Sequence, residues 1–267
     1  MGNHLAKLLK NEDSELIALV RLDSSLDHKE LFLRVYDNLD LLLSAEPDFS
    51  EIFDVASFIP YGKENQQDLE FVRTNILQTA RLVIAYTGSR FVYSSSVSIY
   101  GDPRSVPLTV ESPFVNPNLY GLSKLAGETS VRNHPNHAII RFSSIIGPRM
   151  KTSSFIPKII EKAKATGKIH VFGDGLRLQN YIDVRDAASL CLKCASFGNN
   201  VITLGISDKS HSNKEVARLI AEITGAQIEY TGTDRSASFE YDTQGIHDLL
   251  GFHPVYSLRQ SIIDMIK

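Results

Sequence analysis

The sequence predicts an α/β protein with a doubly wound parallel sheet and a smaller lobe beside it. Short β-branched runs alternate with longer stretches of helical periodicity, which is the pattern of repeated βαβ units. Parallel strands joined in this way need helices on both faces of their sheet. The alternation loosens after about Pro148, and this change predicts the lobe. A chain of 267 residues is long enough to form both parts.

The strands of the sheet are predicted from apolar runs bounded by turn residues. They cover residues 16–20, 53–59, 91–96 and 137–143, with a further short strand at 201–205. Helical periodicity predicts helices over 4–10, 68–86 and 120–133. In the second region it predicts helices over 155–168 and 213–225, and two more within 247–266 around a Gly/Pro break.

Composition narrows the class of protein. The hydrophobic share of 43% and the charged share of 22% are typical of globular proteins. A net charge of −3 argues against nucleic acid as a partner. Apolar runs are too short for a membrane span and no secretory leader is recognisable, so we expect a cytoplasmic protein. Cys191 and Cys194 lie on a predicted helix without a second pair, which favours buried, inert thiols and no metal site.

Tyr120 and Lys124 form the sharpest chemical feature of the sequence. They lie four residues apart on a predicted helix and therefore share one face. A free phenol has a pKa of about 10, and a cation at ~4 Å contributes on the order of 4 kcal/mol. That attraction would lower the phenol pKa by about 3 units, close to neutral pH. Tyr120 is therefore predicted to act as a general base.

Serine hydroxyls follow the strand at 91–96, in the segment VYSSSVSIYG (92–101). The carboxyl edge of a parallel sheet faces the ligand crevice, so a serine there can hold a substrate hydroxyl. The alternative interpretation is a strand end whose backbone is satisfied by serine side chains. Taken alone, the segment is compatible with both.

Several further motifs occur in order along the chain, and together they carry a resemblance. SSSVSIYG and YGLSK are accompanied by TNILQT (74–79), IRFSSIIGPR (140–149), VFGDGLRLQNYIDVRDAA (171–188) and LLGFHPVYSLRQSI (249–262). This series resembles the extended short-chain dehydrogenase/reductase family, in its NAD-dependent epimerase/dehydratase branch. The resemblance covers nearly the whole chain. It implies a Rossmann-like fold, with a dinucleotide-binding domain over 1–148 and mainly a substrate-binding lobe over 149–267 from which some segments return to the main sheet.

The resemblance also implies roles for particular residues. Tyr120 would be the base, Lys124 would lower its pKa and contact the nicotinamide ribose, and Ser96 would polarise the substrate oxygen. The residues implied to bind the NAD or NADP cofactor are Gly2, Arg21, Asn75, Ser94, Tyr120 and Lys124. Those implied to bind a nucleotide-sugar substrate are Ser96, Ser144, Arg177 and Gln179. The family implies a homodimer as well.

The start of the chain departs from the family pattern. MGNHLAKLL resembles the end of the family's glycine motif, with Gly2 as the third glycine, while the first strand and two glycines are absent from this sequence. We expect a void and open strand edges where a central strand would lie. Either the reading frame extends upstream, or the chain is a relative that has lost the motif. The segment DVASFIP (54–60) is also shorter than the family pattern, which affects the cofactor contacts that follow this strand.

Three substitutions bear on ligand choice. Arg21 stands where the family has an acidic residue for the ribose, which favours the 2′-phosphate of NADP, although Asp23 could compete. Gln179 replaces an arginine that grips the diphosphate, and Arg177 could serve instead, with Arg149 as a weaker candidate. Ser144 stands where the family pattern has an asparagine.

Three functions remain open at this point. The leading one is an NAD(P)-dependent nucleotide-sugar 4-epimerase that works through a keto-sugar intermediate. An NADP-dependent 4-keto-6-deoxy sugar nucleotide reductase would use the same three residues. A non-catalytic nucleotide-binding protein is the alternative of another class. Val97 and Ser98 stand where dehydratases of the family carry an Asp-Glu pair, so dehydration is set aside.

Overall fold

The main sheet consists of four parallel strands, with Glu51–Asp54, Arg90–Ser96, His137–Phe142 and Val201–Gly205 side by side in that order. The computed structural model describes residues 1–10, 14–21, 28–59, 69–150 and 154–267. The four strands are β3 (Glu51–Asp54), β4 (Arg90–Ser96), β5 (His137–Phe142) and β9 (Val201–Gly205). β4 and β5 are buried along their whole length, as expected of central strands covered on both faces.

Helices cover both faces of this sheet, which confirms the doubly wound α/β fold. The helices of this part are α1 (Gly2–Lys10), α2 (Leu39–Ala45), α3 (Glu70–Val72), α4 (Thr79–Ala85) and α5 (Leu119–Arg132). Val92 and Ile140 pack in one core with Leu5 of α1. Phe91 and Tyr93, which alternate with Val92 along β4, pack in a second core with Leu82 of α4.

Two predicted elements differ from their observed form. The strand predicted over 53–59 ends at Asp54, because the Val55 amide bonds back to the Phe53 carbonyl and the chain leaves the sheet. The helix predicted over 68–86 is divided into α3, a π-helical turn (Arg73–Gln78) and α4, and its first predicted residue lies outside the described residues. The π turn widens the helix where Asn75 points inward, and such turns are frequent at functional sites.

The sheet is split beside β3. β1 (Ile17–Leu19) and β2 (Arg34–Tyr36) form a separate parallel pair. Within the described ranges, β1 is hydrogen-bonded to β2 alone and β3 to β4 alone. A cavity of about 500 Å³ is lined by residues of β1, β3 and the inner face of α1. The split lies where the sequence predicts an absent central strand.

A second, smaller part of the chain has its own core. Its elements are β6 (Ser144–Ile146), α6 (Phe155–Thr166), β7 (Lys168–Phe172), β8 (Leu178–Asp183), β10 (Ser210–Ser212), α8 (Asn213–Thr224), β11 (Gln227–Thr231) and α10 (Leu258–Ile266). They form a sheet β10-β8-β6 and a pair β11-β7. Ile156, Val216 and Ile262 pack together in this core.

The chain returns from this lobe to the main sheet. α7 (Val184–Ala195) and α9 (Gln244–Leu250) pack on the core that contains Val92, and β9 pairs with β5. A strict domain boundary at residue 148 stays a prediction. The helices in the described part of the chain are all too short or too polar to cross a membrane.

Candidate active site

The carboxyl end of β4 forms one wall of the site. Ser96 caps the 3₁₀ turn Val97–Tyr100, because its hydroxyl oxygen accepts from the Ser98 amide at 3.2 Å. The same hydroxyl donates to Ser98 Oγ at 3.1 Å. Ser94 and Ser96 are both buried. The hydroxyl of Ser96 is thus held at the sheet edge by the turn that follows it.

Helix α5 begins against this turn and brings Tyr120 to it. The Asn118 side chain caps the helix by accepting from the Gly121 amide at 2.8 Å. A Cβ at position 121 would lie 2.3 Å from the Ser98 carbonyl oxygen, so only glycine allows so close an approach. Because of this contact, the first turn of α5 packs against the end of β4.

The phenol of Tyr120 also meets the loop after β3. Ser57 Oγ donates to Tyr120 Oη at 3.3 Å. Ser57 was not among the predicted site residues, because it lies inside the strand predicted over 53–59, whereas the observed strand ends at Asp54. The site is therefore formed where the β3 loop, the end of β4 and the start of α5 converge.

Lys124 lies one turn further along α5 and points into the protein. Its ammonium nitrogen lies 4.4 Å from the centroid of the Tyr93 ring, within the range of a cation–π contact. A Cβ at position 127 would lie 2.1 Å from the Tyr93 hydroxyl, so Gly127 is what lets this ring reach α5. Burial lowers the pKa of Lys124 to about 8, against the opposing attraction of Asp54 and Glu128.

Asn75 locks the β3 loop to α5. Its amide nitrogen donates to the Phe58 carbonyl at 2.9 Å and to Ser123 Oγ at 2.9 Å, while its amide oxygen accepts from the Phe58 amide. These bonds engage a side chain that is almost fully buried. Asn75 therefore orders the site, and its direct contact with a cofactor stays a prediction.

A buried ion pair anchors the outer half of α5. Arg141 Nη2 lies 2.9 Å from Glu128 Oε2, and Arg141 Nε donates to Oε1 at 3.0 Å. Ser95 Oγ donates to the same carboxylate at 2.6 Å. Sequence reasoning missed this network, which ties α5 to β4 and β5 and so fixes the helix that carries Tyr120.

The residues predicted for the adenosine half lie beside the cavity. Gly2 is the first residue of α1, and a Cβ there would meet Val55 at an ordinary 3.8 Å. The exposed Arg21 follows β1, with its guanidinium 5.8 Å from the centroid of the Phe58 ring. Both residues line the same cavity as Ser57.

Apart from Ser96, the residues predicted for the substrate lie in the lobe, in or next to its three-stranded sheet. Ser144 begins β6 and is exposed, opposite Tyr181 of β8. Gln179 donates to Asn213 Oδ1 at 2.8 Å, and Arg177 Nε donates to the Ala237 carbonyl at 3.0 Å. Ser144 and Gln179 lie in one sheet of the lobe and Arg177 directly precedes its strand β8, and the contact of these three residues with substrate stays a prediction.

The two cysteines lie on α7, inside the core. Burial raises the pKa of Cys191 far above its ordinary value and that of Cys194 to about 12, so neither thiol forms a thiolate at neutral pH. Across the described ranges no group of acidic, histidine or cysteine side chains could hold a metal ion.

Comparison with known proteins decides the family. The model of the NAD-dependent epimerase/dehydratase family matches residues 1–205. The chain belongs to this family.

Its relatives include epimerases and a dehydratase. The chain is 25% identical to the UDP-glucose 4-epimerase of Lacticaseibacillus casei, over 99% of this chain and 92% of that enzyme. It is 28% identical to the dTDP-glucose 4,6-dehydratase of Streptomyces griseus, over 72% of this chain but only 63% of that enzyme.

Among solved structures, MoeE5 in complex with UDP-glucuronic acid and NAD superposes with a TM-score of 0.85 at 24% identity, over 99% of this chain and 94% of MoeE5. The UDP-glucuronic acid 4-epimerase of Bacillus cereus superposes with a TM-score of 0.81 at 18% identity, over 99% of this chain and 94% of that enzyme. Both share the Rossmann-type fold, as the sequence predicts.

The residues present fit the dinucleotide that this family uses. Lys124 Nζ is buried and has no hydrogen-bond partner in the described part of the chain, so its donors are unused there. The amino end of α1, where backbone amides favour anions, lines the same cavity as Arg21. Lys124, Arg21 and the start of α1 would hold the cofactor.

Proposed function

We propose that this family member is a nucleotide-sugar 4-epimerase. The supporting observation is the contact between Gly121 and Ser98, which packs the start of α5, and with it Tyr120, against the turn capped by Ser96. In this proposal Tyr120 as base, Lys124 as buried cation and Ser96 as hydroxyl donor act together at the carboxyl edge of the sheet, where ligands of such folds bind. UDP-sugar relatives support a uridine-linked hexose as the substrate.

In this proposal each of the three residues has a separate task. Tyr120 takes the proton from the sugar 4-hydroxyl, and Lys124 stabilises the phenolate by its charge. Ser96 donates a hydrogen bond to the sugar oxygen as it becomes a carbonyl. A bound nicotinamide would supply the hydride acceptor for oxidation at the sugar carbon and the hydride donor for reduction on the other face of the keto sugar. Ser144, Arg177 and Gln179 are proposed to hold the nucleotide of the substrate.

A second candidate is a reductase of 4-keto-6-deoxy sugar nucleotides. It is favoured by Arg21, whose exposed guanidinium beside the cavity suits the 2′-phosphate of NADP. Reductases consume this cofactor, whereas an epimerase recycles its own. We propose that Arg21 gives the protein a preference for NADP, with NAD as the general cofactor of the family.

The assembly we propose is a cytoplasmic homodimer. Exposed apolar side chains on the neighbouring elements that carry the site support it: Leu77 in the π turn is 55% exposed, Ile84 on α4 is 75% exposed, and Leu122 on α5 is 48% exposed. An interface formed by these elements would remove the three side chains from water.

The catalytic assignment is tested by Tyr120→Phe. Turnover of UDP-glucose should fall by at least ~10², because the variant loses only the proton-transfer group, while cofactor affinity stays the same. Tyr36→Phe, which removes a phenol that bonds Glu46 outside this site, is the matched control and should retain activity. Near-normal turnover in Tyr120→Phe would refute the assignment. Wild-type protein that binds the cofactor but does not turn over UDP-glucose or its 4-epimer would indicate the non-catalytic alternative.

A further inference from the structure

The ammonium group of Lys124 lies in an environment that normally neutralises a lysine. The side chain is only 1% exposed, and its nitrogen has no hydrogen-bond partner among the described residues. An isolated charge in such a place is costly unless an opposite charge compensates it. The Tyr93 ring compensates it in part, from 4.4 Å.

Asp54, the last residue of β3, lies beside that ring. Asp54 and Tyr93 are registered partners on the neighbouring strands β3 and β4. Registered partners on adjacent strands point to the same face of the sheet, and adjacent strands are about 4.8 Å apart. The carboxylate is thus placed next to the ring that carries the ammonium of Lys124.

The carboxylate of Asp54 is also held in a defined orientation. Its side chain is only 5% exposed. Thr79 on α4 donates its hydroxyl to Asp54 Oδ2 at 2.6 Å, and the Ala56 amide donates to the same carboxylate. Burial raises the pKa of Asp54, while the attraction of Lys124 and these hydrogen bonds to the charged form oppose that rise in part.

The other ionisable groups around Lys124 have different roles. From β4 comes Tyr93, whose pKa burial raises well above its ordinary value, so it is neutral. From α5 itself come Tyr120 and Glu128. The Glu128 carboxylate is already engaged by Arg141 at 2.9 Å and by Arg132 at 3.5 Å. Among the described residues, Asp54 therefore exerts the largest attraction on Lys124.

We propose that Asp54 is the counter-ion of Lys124 and keeps the buried ammonium charged and fixed over the Tyr93 ring. In this role Asp54 is a positioning residue that acts on Tyr120 through Lys124. The pairing itself is independent of the catalytic assignment, whereas its effect on turnover rests on the proposed function.

The sign of the effect follows from burial. In Asp54→Asn the burial of Lys124 remains while its attraction to Asp54 is lost, so the pKa of Lys124 falls from about 8 to a lower value. Loss of a nearby opposite charge changes a pKa by roughly one to three pH units. A large part of the Lys124 population would then be neutral at pH 7. The alkaline limb of the pH–rate profile should move to lower pH, and turnover at pH 7 should fall about tenfold with little change in substrate KM.

The decisive measurement is the titration of Lys124 in the full chain, followed by NMR of protein labelled with ¹³C at lysine Cε. The Lys124 signal is assigned by its loss in Lys124→Met. Its midpoint should move to lower pH in Asp54→Asn. Asp186→Asn is the matched control, because Asp186 is a buried acid on α7 whose carboxylate bonds the backbone amides of Val255 and Tyr256. It should leave the Lys124 midpoint unchanged.

Thr79→Val gives a second variant if Asp54→Asn does not fold. Removal of the hydroxyl donor makes the Asp54 carboxylate harder to ionise, so the Lys124 midpoint should move in the same direction by a smaller amount. An unchanged midpoint in Asp54→Asn, or in Thr79→Val where that variant must stand in, would overturn the proposal. If the midpoint moves but wild-type protein shows no epimerase activity, the pairing stands and the proposed function fails.

Discussion

Arg21 is the single residue on which the proposed NADP preference depends. Its exposed guanidinium should form a charge-assisted hydrogen bond with the 2′-phosphate, and such bonds contribute about 1.5–3 kcal/mol. Arg21→Ala should therefore weaken NADP binding by roughly tenfold or more while NAD binding changes little. Calorimetric titration of both cofactors measures this difference. Arg104→Ala, at an exposed arginine outside the cavity, should change neither affinity. A wild-type preference for NAD, or an unchanged preference in Arg21→Ala, would contradict the proposal.

Among the secondary-structure elements, the split between β1 and β3 has the clearest consequence for the stability of the fold. Leu16 and Val20 bond to β2, so the backbone groups of Ile17 and Leu19, which point the other way, face the cavity. We predict that a segment of about five apolar residues followed by a glycine loop, joined ahead of Met1, fills this cavity as a parallel strand. The gain in packing should raise the melting temperature by on the order of 5–10 °C and tighten cofactor binding. Slower hydrogen exchange at the Ile17 and Leu19 amides would locate the strand.

An extension of equal length, with serine at the apolar positions, serves as the control for that experiment. It should leave the melting temperature and the amide exchange rates where they are in the original chain. If both extensions give the same melting temperature and amide exchange rates, or if the original chain already binds the cofactor tightly, the added segment does not fill the cavity as a strand.

For the molecule as a whole, the prediction concerns assembly. Ile84 and Leu122 are exposed on adjacent helices, so a dimer through α4 and α5 would bury them. Glutamate at both positions should convert a dimer into a monomer in sedimentation velocity, because unpaired charges are costly at a buried interface. Leu176→Glu, at an equally exposed leucine of the lobe, should leave the dimer intact. A monomeric wild-type protein at micromolar concentration would refute the proposed interface.

The sequence by itself determined the class of fold and the position of its most distinctive residues. The apolar runs in β4, β5 and β9 predict these strands within one residue at each end, because strands covered by helices on both faces carry apolar residues at consecutive positions. The spacing of Tyr120 and Lys124 places them on one face of α5 for a purely local reason.

Only the tertiary structure decided what surrounds these residues. Asp54 and Ser57 lie more than sixty positions from Tyr120 along the chain. They reach the site through the pairing of β3 with β4 and the bend after Asp54. No local sequence pattern encodes this pairing or this bend. The pairing of Glu128 with Arg141 is likewise not encoded by a local pattern, because these residues meet only when α5 packs on β5. Local periodicity reports which face of an element is buried, whereas the identity of the neighbour on that face depends on how distant elements pack.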